Sequence, residues 1–301
     1  MRVITQKTVG DASVLEVAEA ATPVPGPGQV MVKVGAAAVN PVDTYVRGGG
    51  FPALGEPPFT LGWDVAGTVV QDAEGFVAGE DVYGLLTFPG TGGGYAEYAV
   101  VNAADLVRRP SWLTVEQAGA TPMVALTAWQ TLVGRAGVSA GQRVLVHAAA
   151  GGVGHVAVQI AKARGAYVIG TASAAKHDFL RSLGVDEVID YRHQDFTEIE
   201  PVDVVLDTVG GQYAERSAKV IKPGGVLVSI IPGNPGFDVD RASELGIRFE
   251  LFLGVVASGA DLAALPQLKV QIDHVVPLAE VTKAHELVES GRTTGKVVLV
   301  P

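Results

Sequence analysis

The chain has 301 residues, enough for two domains and a large buried core. Its formal net charge is −10 and it holds no basic run, which argues against nucleic acid and against an anionic membrane surface as partners. With no cysteine at all, disulfides, thiolate metal sites and cysteine nucleophiles are excluded.

In chain order, Met1 to Thr5 runs straight into strand-like residues and lacks the apolar core of a signal peptide, so a cytoplasmic location is the expectation. Thr22 to Gly28 is a turn cluster, and the alternation of Val30, Val32 and Val34 with Met31 and Lys33 predicts a strand after it. Further short strands are expected at Thr68 to Val70, Asp81 to Gly84 and Tyr95 to Val101. They are punctuated by Gly48-Gly49-Gly50, Pro57-Pro58 and Gly92-Gly93-Gly94. This is a β-rich domain of irregular strands. Thr114 with Gln117 three residues on is a capping-box signature for a helix start, and the first domain boundary is placed there.

From Val144 the pattern changes. Val144-Leu145-Val146 predicts a short buried strand, Ala149 to Gly154 a glycine turn, and His155 to Lys162 a helix. Gly151, Gly152 and Gly154 let the backbone bend and approach a ligand, and a helix N-terminus suits a pyrophosphate. Ala166 to Thr171 predicts the next strand, so the unit is strand, glycine turn, helix, strand, the dinucleotide-binding arrangement, with Ala149 where the first glycine usually stands. Strands are expected again at Val185–Asp190, Val202–Asp207, Gly225–Ile231 and Arg248–Leu253, with helices at Lys176–Leu183 and Gln212–Ile221. The fold class is therefore α/β, with a Rossmann doubly wound parallel sheet. The uncharged stretch Val144 to Ala161 is spoiled as a membrane span by its glycines, His147, His155 and Gln159. A helix at Leu278 to Ser290 and a strand at Lys296 to Val300 are too short to stand alone, and are expected to return to the N-terminal domain. The expected domains are thus 1–115 with 258–301, and 116–257.

For NAD, an acid should end the second strand of the unit, to take the ribose 2′-hydroxyl. Ala172-Ser173-Ala174 offers none; Ser173 gives a hydroxyl and Lys176 a cation, which favours a 2′-phosphate and hence NADP(H). The alternative is that Lys176 is a solvated residue at a helix start.

Six segments carry a resemblance over nearly the whole chain: Pro25 to Val30, Ala38 to Arg47, Gly62 to Gly67, Gly93 to Tyr98, Leu126 to Trp129 and Gly295 to Leu299. In this order they resemble the medium-chain dehydrogenase/reductases, in the zinc-independent quinone oxidoreductase (zeta-crystallin-like) branch. The resemblance implies a GroES-like β-rich catalytic domain joined to the Rossmann domain, with NADPH as cofactor. The positions equivalent to the zinc ligands of zinc-dependent relatives are Asn40, Trp63 and an apolar residue near Met123, which do not form the nitrogen and sulfur shell that zinc prefers.

Without a Lewis acid, the chemistry rests on position and hydrogen bonding. The expected activity is NADPH-dependent reduction of a quinone or a related α,β-unsaturated carbonyl. The alternatives are an alkenal or enoyl double-bond reductase of the same family, or an NADPH-binding structural or sensor protein with little turnover. Asn40 is expected to hydrogen-bond near the nicotinamide ribose or the substrate oxygen. Tyr45 is the candidate proton donor or oxyanion stabiliser, or else an aromatic lining residue. Thr127 is expected to approach the nicotinamide, Gly151, Gly152 and Val153 to contact the pyrophosphate, and Ser173, Lys176 and Tyr191 to surround the adenosine phosphate. Phe252 and Leu253 are expected behind the nicotinamide. Asp43 and Asp64 are expected to fix a wall rather than do chemistry. The apolar run Arg248 to Val256 reads as the sheet's last strand, whose long apolar edge invites pairing, and the resemblance implies that two such edges join across a two-fold axis in a homodimer.

Overall fold

The computed structural model describes residues 1–50, 55–90, 92–231 and 237–301. Seven strands precede residue 110: β1 (Arg2–Gln6), β2 (Leu15–Glu19), β3 (Gln29–Val39), β4 (Asp64–Val69), β5 (Asp81–Leu85), β6 (Tyr98–Asn102) and β7 (Leu106–Arg108). Six follow in the middle of the chain: β8 (Arg143–Val146), β9 (Tyr167–Ala172), β10 (Glu187–Asp190), β11 (Val202–Asp207), β12 (Ile221–Ser229) and β13 (Arg248–Leu251). The last two are β14 (Ile272–Pro277) and β15 (Lys296–Val300). The chain forms two compact units, Met1–Leu126 with Val256–Ala264 and Val270–Pro301, and Thr127–Val255 with Leu265–Lys269.

The first unit is built on β3. Val30, Val32 and Val34 point inward, as their alternation predicts, and Ala36 to Val39 are buried on both faces. β3 lies between β4 and β15, both antiparallel to it, in a seven-stranded sheet ordered β14-β15-β3-β4-β5-β7, with β6 pairing β3 as well. Among the described strands of this unit, only β14 and β15 run parallel to each other. Helix α1 (Pro41–Arg47) follows β3 directly, and α2 (Val115–Gly119) packs on β3 and β4. Thr114 caps α2 as its sequence predicts: its hydroxyl accepts from Gln117 N, and the Gln117 side chain accepts from Thr114 N. The unit continues past the boundary expected at residue 115, because α2 rests on its sheet and Met123 N donates to the Asp64 carboxylate. Helix α3 (Pro122–Trp129) spans the end of this segment.

The second unit is a six-stranded, wholly parallel sheet ordered β10-β9-β8-β11-β12-β13. One row of side chains, Ile169, Leu145, Val205, Leu227 and Phe249, crosses five neighbouring strands in register. The first four are fully or almost fully buried, each worth about 1.5–3 kcal/mol relative to exposure. Helices α4 (Gly152–Ala163), α5 (His177–Ser182), α6 (Tyr213–Ala218) and α7 (Val239–Glu244) connect the strands. The strand order reverses between β8 and β11, the kind of switch point where open α/β sheets bind ligands at the strands' carboxyl ends.

Several elements differ from their expected extents. The last strand of this sheet stops at Leu251 and does not run to Leu253 or Val256, because its partner β12 ends with Ser229 opposite Leu251. One further hydrogen bond, Phe252 N to Ser229 O at 2.8 Å, closes the ladder. The helix expected to reach Ile221 ends at Ala218, and Ile221 opens β12. Two short segments add α8 (Gly259–Ala264) and α9 (Val281–Glu289) to the first unit. Among the described residues, no helix is long and apolar enough to cross a membrane.

Candidate active site

In the first unit, four polar side chains meet where three adjacent strands end. Asn40 follows β3 and precedes α1, Asp43 lies in the first turn of α1, Asp64 opens β4, and Lys296 opens β15. None is more than 3% exposed. The Asp43 carboxylate accepts from Asn40 N at 2.8 Å and Gly62 N at 3.0 Å. The Asp64 carboxylate accepts from Asn40 Nδ2 at 2.7 Å and Met123 N at 2.6 Å. Lys296 Nζ donates to Asn40 Oδ1 and, at 3.3 Å, to the Val39 carbonyl. Both aspartates hold backbone amides, and Asp64 also holds the Asn40 side chain.

Two carboxylates here face one ammonium away from water, which is costly for a charged group. Burial raises Asp43 to about 7, with Asp64 adding repulsion and Lys296 and the backbone donors opposing it. Burial also raises Asp64, and burial lowers Lys296 against the pull of both aspartates. The fully buried Tyr95 hydroxyl lies beside Asp43 without meeting hydrogen-bond geometry; burial and that carboxylate hold it well above the usual phenol range. Next to this group, Arg47 donates to the Gly10 carbonyl at 3.1 Å, to His285 Nδ1 at 3.1 Å and to Glu289. Because a guanidinium only donates, His285 Nδ1 is the acceptor and Nε2 carries the proton. Burial, with Arg47 beside it, pushes His285 down to about 3. Tyr45, on the same helix α1, is half exposed, and its ring covers Gly50 closely enough to leave no room for a Cβ there.

In the second unit, the polar groups gather at the carboxyl end of β8. His147 is fully buried, with Nε2 at 2.8 Å from Ser217 Oγ and Nδ1 at 3.3 Å from Thr171 Oγ1. Burial pushes it down to about 3, so it is neutral. Thr171 Oγ1 also accepts from Ala148 N, and Thr208 Oγ1 donates to the His147 carbonyl. These bonds brace the glycine turn, where Ala148 adopts φ +44, a left-handed conformation that costs a non-glycine residue energy. Gly151 is the N-cap of α4, and Gly152 and Val153 begin its first turn, whose N–H groups have no partner within the helix. A Cβ on Gly154 would stand 2.4 Å from the Ala148 carbonyl oxygen, so glycine is required for the helix to lie this close to the turn.

Ser173 follows β9, which ends at Ala172 without an acid, and Lys176 closes a single 3-10 turn before α5. Tyr191 follows β10 and is exposed. Thr127, nearly buried on α3, accepts from the Thr131 hydroxyl through its carbonyl at 2.7 Å. Phe252 is nearly buried just after β13, whereas Leu253 is half exposed. The structure thus brings Gly151, Gly152 and Val153 into one helix start, places Ser173, Lys176 and Tyr191 just beyond β9 and β10, and sets Asn40 in the buried cluster of the other unit. Lys296 is the cluster member that sequence reasoning left without a role. Its signal is an ammonium directly before the apolar run Val297 to Val300, where a buried charge needs partners.

Residues 26–111 match the family model for the alcohol dehydrogenase GroES-like domain, and residues 183–299 match that for the zinc-binding dehydrogenase. The chain is 36% identical to a 2-methylene-furan-3-one reductase of Solanum lycopersicum, over 91% of this chain and 72% of that protein. It superimposes on a quinone oxidoreductase of Coxiella burnetii with a TM-score of 0.92, at 33% identity over 100% of this chain and 99% of that one. The chain belongs to the medium-chain dehydrogenase/reductases, in the zinc-independent quinone oxidoreductase branch. A further medium-chain relative of known structure is an Escherichia coli quinone oxidoreductase complexed with NADPH, with a TM-score of 0.86 and 27% identity over the full length of both chains.

Zinc, which the second family description names, does not fit the residues at the equivalent positions. The Asn40 carboxamide is held between Asp64 and Lys296, the Trp63 indole donates to the Gly90 carbonyl, and Met123 gives its backbone N–H to Asp64. An all-oxygen site on Asp43 and Asp64 would have to displace a buried ammonium. A dinucleotide phosphate does fit the second unit, since the first turn of α4, which begins at Gly152 and Val153, offers main-chain donors that have no partner within the helix.

Proposed function

We propose that this chain is an NADPH-dependent oxidoreductase that reduces quinones or related α,β-unsaturated carbonyls without a metal ion. The observation that carries this reading is the glycine turn at the switch point of a parallel sheet, next to a β9 that ends in Ala172-Ser173 rather than in an acid. Gly151, Gly152 and Val153 hold the pyrophosphate, and Ser173, Lys176 and Tyr191 receive the 2′-phosphate. NADPH, when bound, supplies the hydride for an electron-poor carbon. Asn40 and Thr127 line the nicotinamide, and Phe252 and Leu253 back it. Tyr45 is the half-exposed phenol that can donate a proton to an acceptor oxygen. Asn40 belongs to the cofactor and substrate side as a polar anchor whose orientation is fixed from behind.

The domain division follows the two compact units, a GroES-like catalytic part and a Rossmann cofactor part. A homodimer through the open edge of β13 is part of the same reading, because Leu251 and Leu253 stand half exposed there and an uncovered apolar edge invites pairing. The proposed setting is the cytoplasm, where a reduced nicotinamide pool is at hand. The identity to a 2-methylene-furan-3-one reductase favours a second reading, in which the acceptor is an enone rather than a quinone.

NADPH oxidation with a benzoquinone and with a simple enone, followed side by side and repeated with NADH, tests these readings. Turnover with either acceptor and preference for NADPH is the expected result, and the faster acceptor decides between the two. Binding of NADPH with no oxidation by either acceptor would favour a structural or sensor role and overturn the assignment as a reductase.

A further inference from the structure

Asn40 is the one neutral member of the buried cluster, and its carboxamide is held from two sides. A carboxylate only accepts and an ammonium only donates, so Asp64 facing Nδ2 and Lys296 facing Oδ1 decide which end of the amide is which. Rotating the amide by half a turn would set its NH2 against the ammonium and its C=O against the carboxylate. Each group would then be buried and unpaired. Lys296 itself has little freedom, being anchored on the Val39 carbonyl at the junction of β15 and β3. The pairing leaves the amide one spare N–H in a fixed direction.

We infer that Lys296 is a positioning residue, which locks the Asn40 carboxamide in a single orientation and so sets the direction in which Asn40 offers its remaining N–H. The inference deepens the proposed role of Asn40 and rests on it. Lys296 acts through Asn40. Asp64 grips the other end of the same amide, and Asp43 fixes the backbone N–H of Asn40, so the residue is held at three points by three charged side chains.

The test uses the full chain with NADPH and four proteins besides wild type: Lys296→Met, Lys296→Gln, Asn40→Ala and the double variant Lys296→Met/Asn40→Ala. The first readout is the pair of Asn40 side-chain amide proton resonances, assigned by their loss in Asn40→Ala. Wild type is expected to give two widely separated signals, the one facing Asp64 far downfield. Lys296→Met is expected to collapse that separation, and Lys296→Gln, which keeps a donor, to restore part of it. The second readout is kcat/KM. Lys296→Met is expected to cost roughly tenfold to a hundredfold in the wild-type background. In the Asn40→Ala background it should cost less than about twofold, since the two residues act as one unit. Unchanged amide signals in Lys296→Met, or an equal loss of kcat/KM in both backgrounds, would overturn the inference. An Asn40→Ala variant with wild-type kcat/KM would instead sink the role proposed for Asn40, and the amide signals alone would then decide the inference. If Lys296→Met does not fold, Lys296→Gln carries both measurements.

Discussion

A Cβ at position 170 would stand 2.9 Å from the Cβ of Ala149, so Gly170 on β9 leaves the room that Ala149 fills in the turn after β8. The alanine that replaces the usual first glycine of the dinucleotide turn is therefore matched by a glycine on the neighbouring strand. Gly170→Ala is expected to destabilise the chain by about 1–3 kcal/mol through overpacking. In an Ala149→Gly background the same change should cost less than about 1 kcal/mol, because the opposing methyl is gone. Urea unfolding of the four proteins in this cycle checks it; equal costs in both backgrounds would show that the two positions do not share space.

The buried Asp43 gives stability a pH dependence of defined sign. Its carboxyl binds a proton up to about pH 7 in the folded chain, against 3.8 for an ordinary aspartate, so the folded state holds more protons between about pH 4 and pH 7. This term lowers stability as pH rises through that window, by at most about 1.4 kcal/mol per pH unit. His147 and His285 act in the opposite sense, since both stay neutral down to about 3 when folded and become charged once unfolded below 6.5, the ordinary histidine value. Asp43→Asn removes only the first contribution. Its deficit relative to wild type is expected to be largest at pH 4 and to shrink by pH 7, read from denaturant unfolding at several pH values. A deficit that does not change with pH would mean that Asp43 titrates alike in both states.

Lys176 carries the cofactor preference in the proposed function. Lys176→Ala is expected to raise the dissociation constant for NADPH by about tenfold or more, the worth of one hydrogen bond to a charged group. NADH, which has no 2′-phosphate, should be affected by less than about twofold. Fluorescence titration with both cofactors measures the ratio. An equal loss for both would assign Lys176 a structural part at the start of α5.

The capping box of α2 predicts a plain stability effect. Thr114→Ala removes the acceptor for Gln117 N and should cost about 1 kcal/mol in urea unfolding. Thr114→Ser should be nearly neutral, because the hydroxyl is retained; a loss as large as that of alanine would show that the methyl, and not the cap, matters.

The proposed dimer is tested on the half-exposed residues of the β13 edge. Leu251→Lys with Leu253→Lys is expected to give a monomer by light scattering, with the wild-type fold by circular dichroism. Wild type that is already monomeric at working concentrations would remove the proposal.

The parallel sheet was readable because its strands are short aliphatic runs bounded by turns. Val144 to Val146 and Val202 to Asp207 announce themselves whatever surrounds them. Helix α1 was not, since Pro41 to Arg47 is too short to show a helical period and owes its start to Asp43 reaching back to Asn40. Nor was β14, whose residues lie mostly exposed and are held by the ladder to β15 rather than by a pattern of their own. The end of β13 depended on where β12 stops, which is a property of a partner 22 residues earlier in register and not of the apolar run itself. In the site, the glycines could be named from their type, and Asn40 from the resemblance of the segment that carries it. The grip of Lys296 on Asn40 could not, because it joins positions 256 residues apart.

That separation sets an order of assembly during synthesis. The parallel sheet occupies one stretch of chain and can fold once the ribosome has passed it, as domains made of consecutive residues commonly do. The first unit, whose sheet joins β3 to β15, cannot. Until Lys296 emerges and β15 slots in between β14 and β3, Asp43 and Asp64 lack the ammonium that faces them, and strands made before the parallel sheet are completed after it.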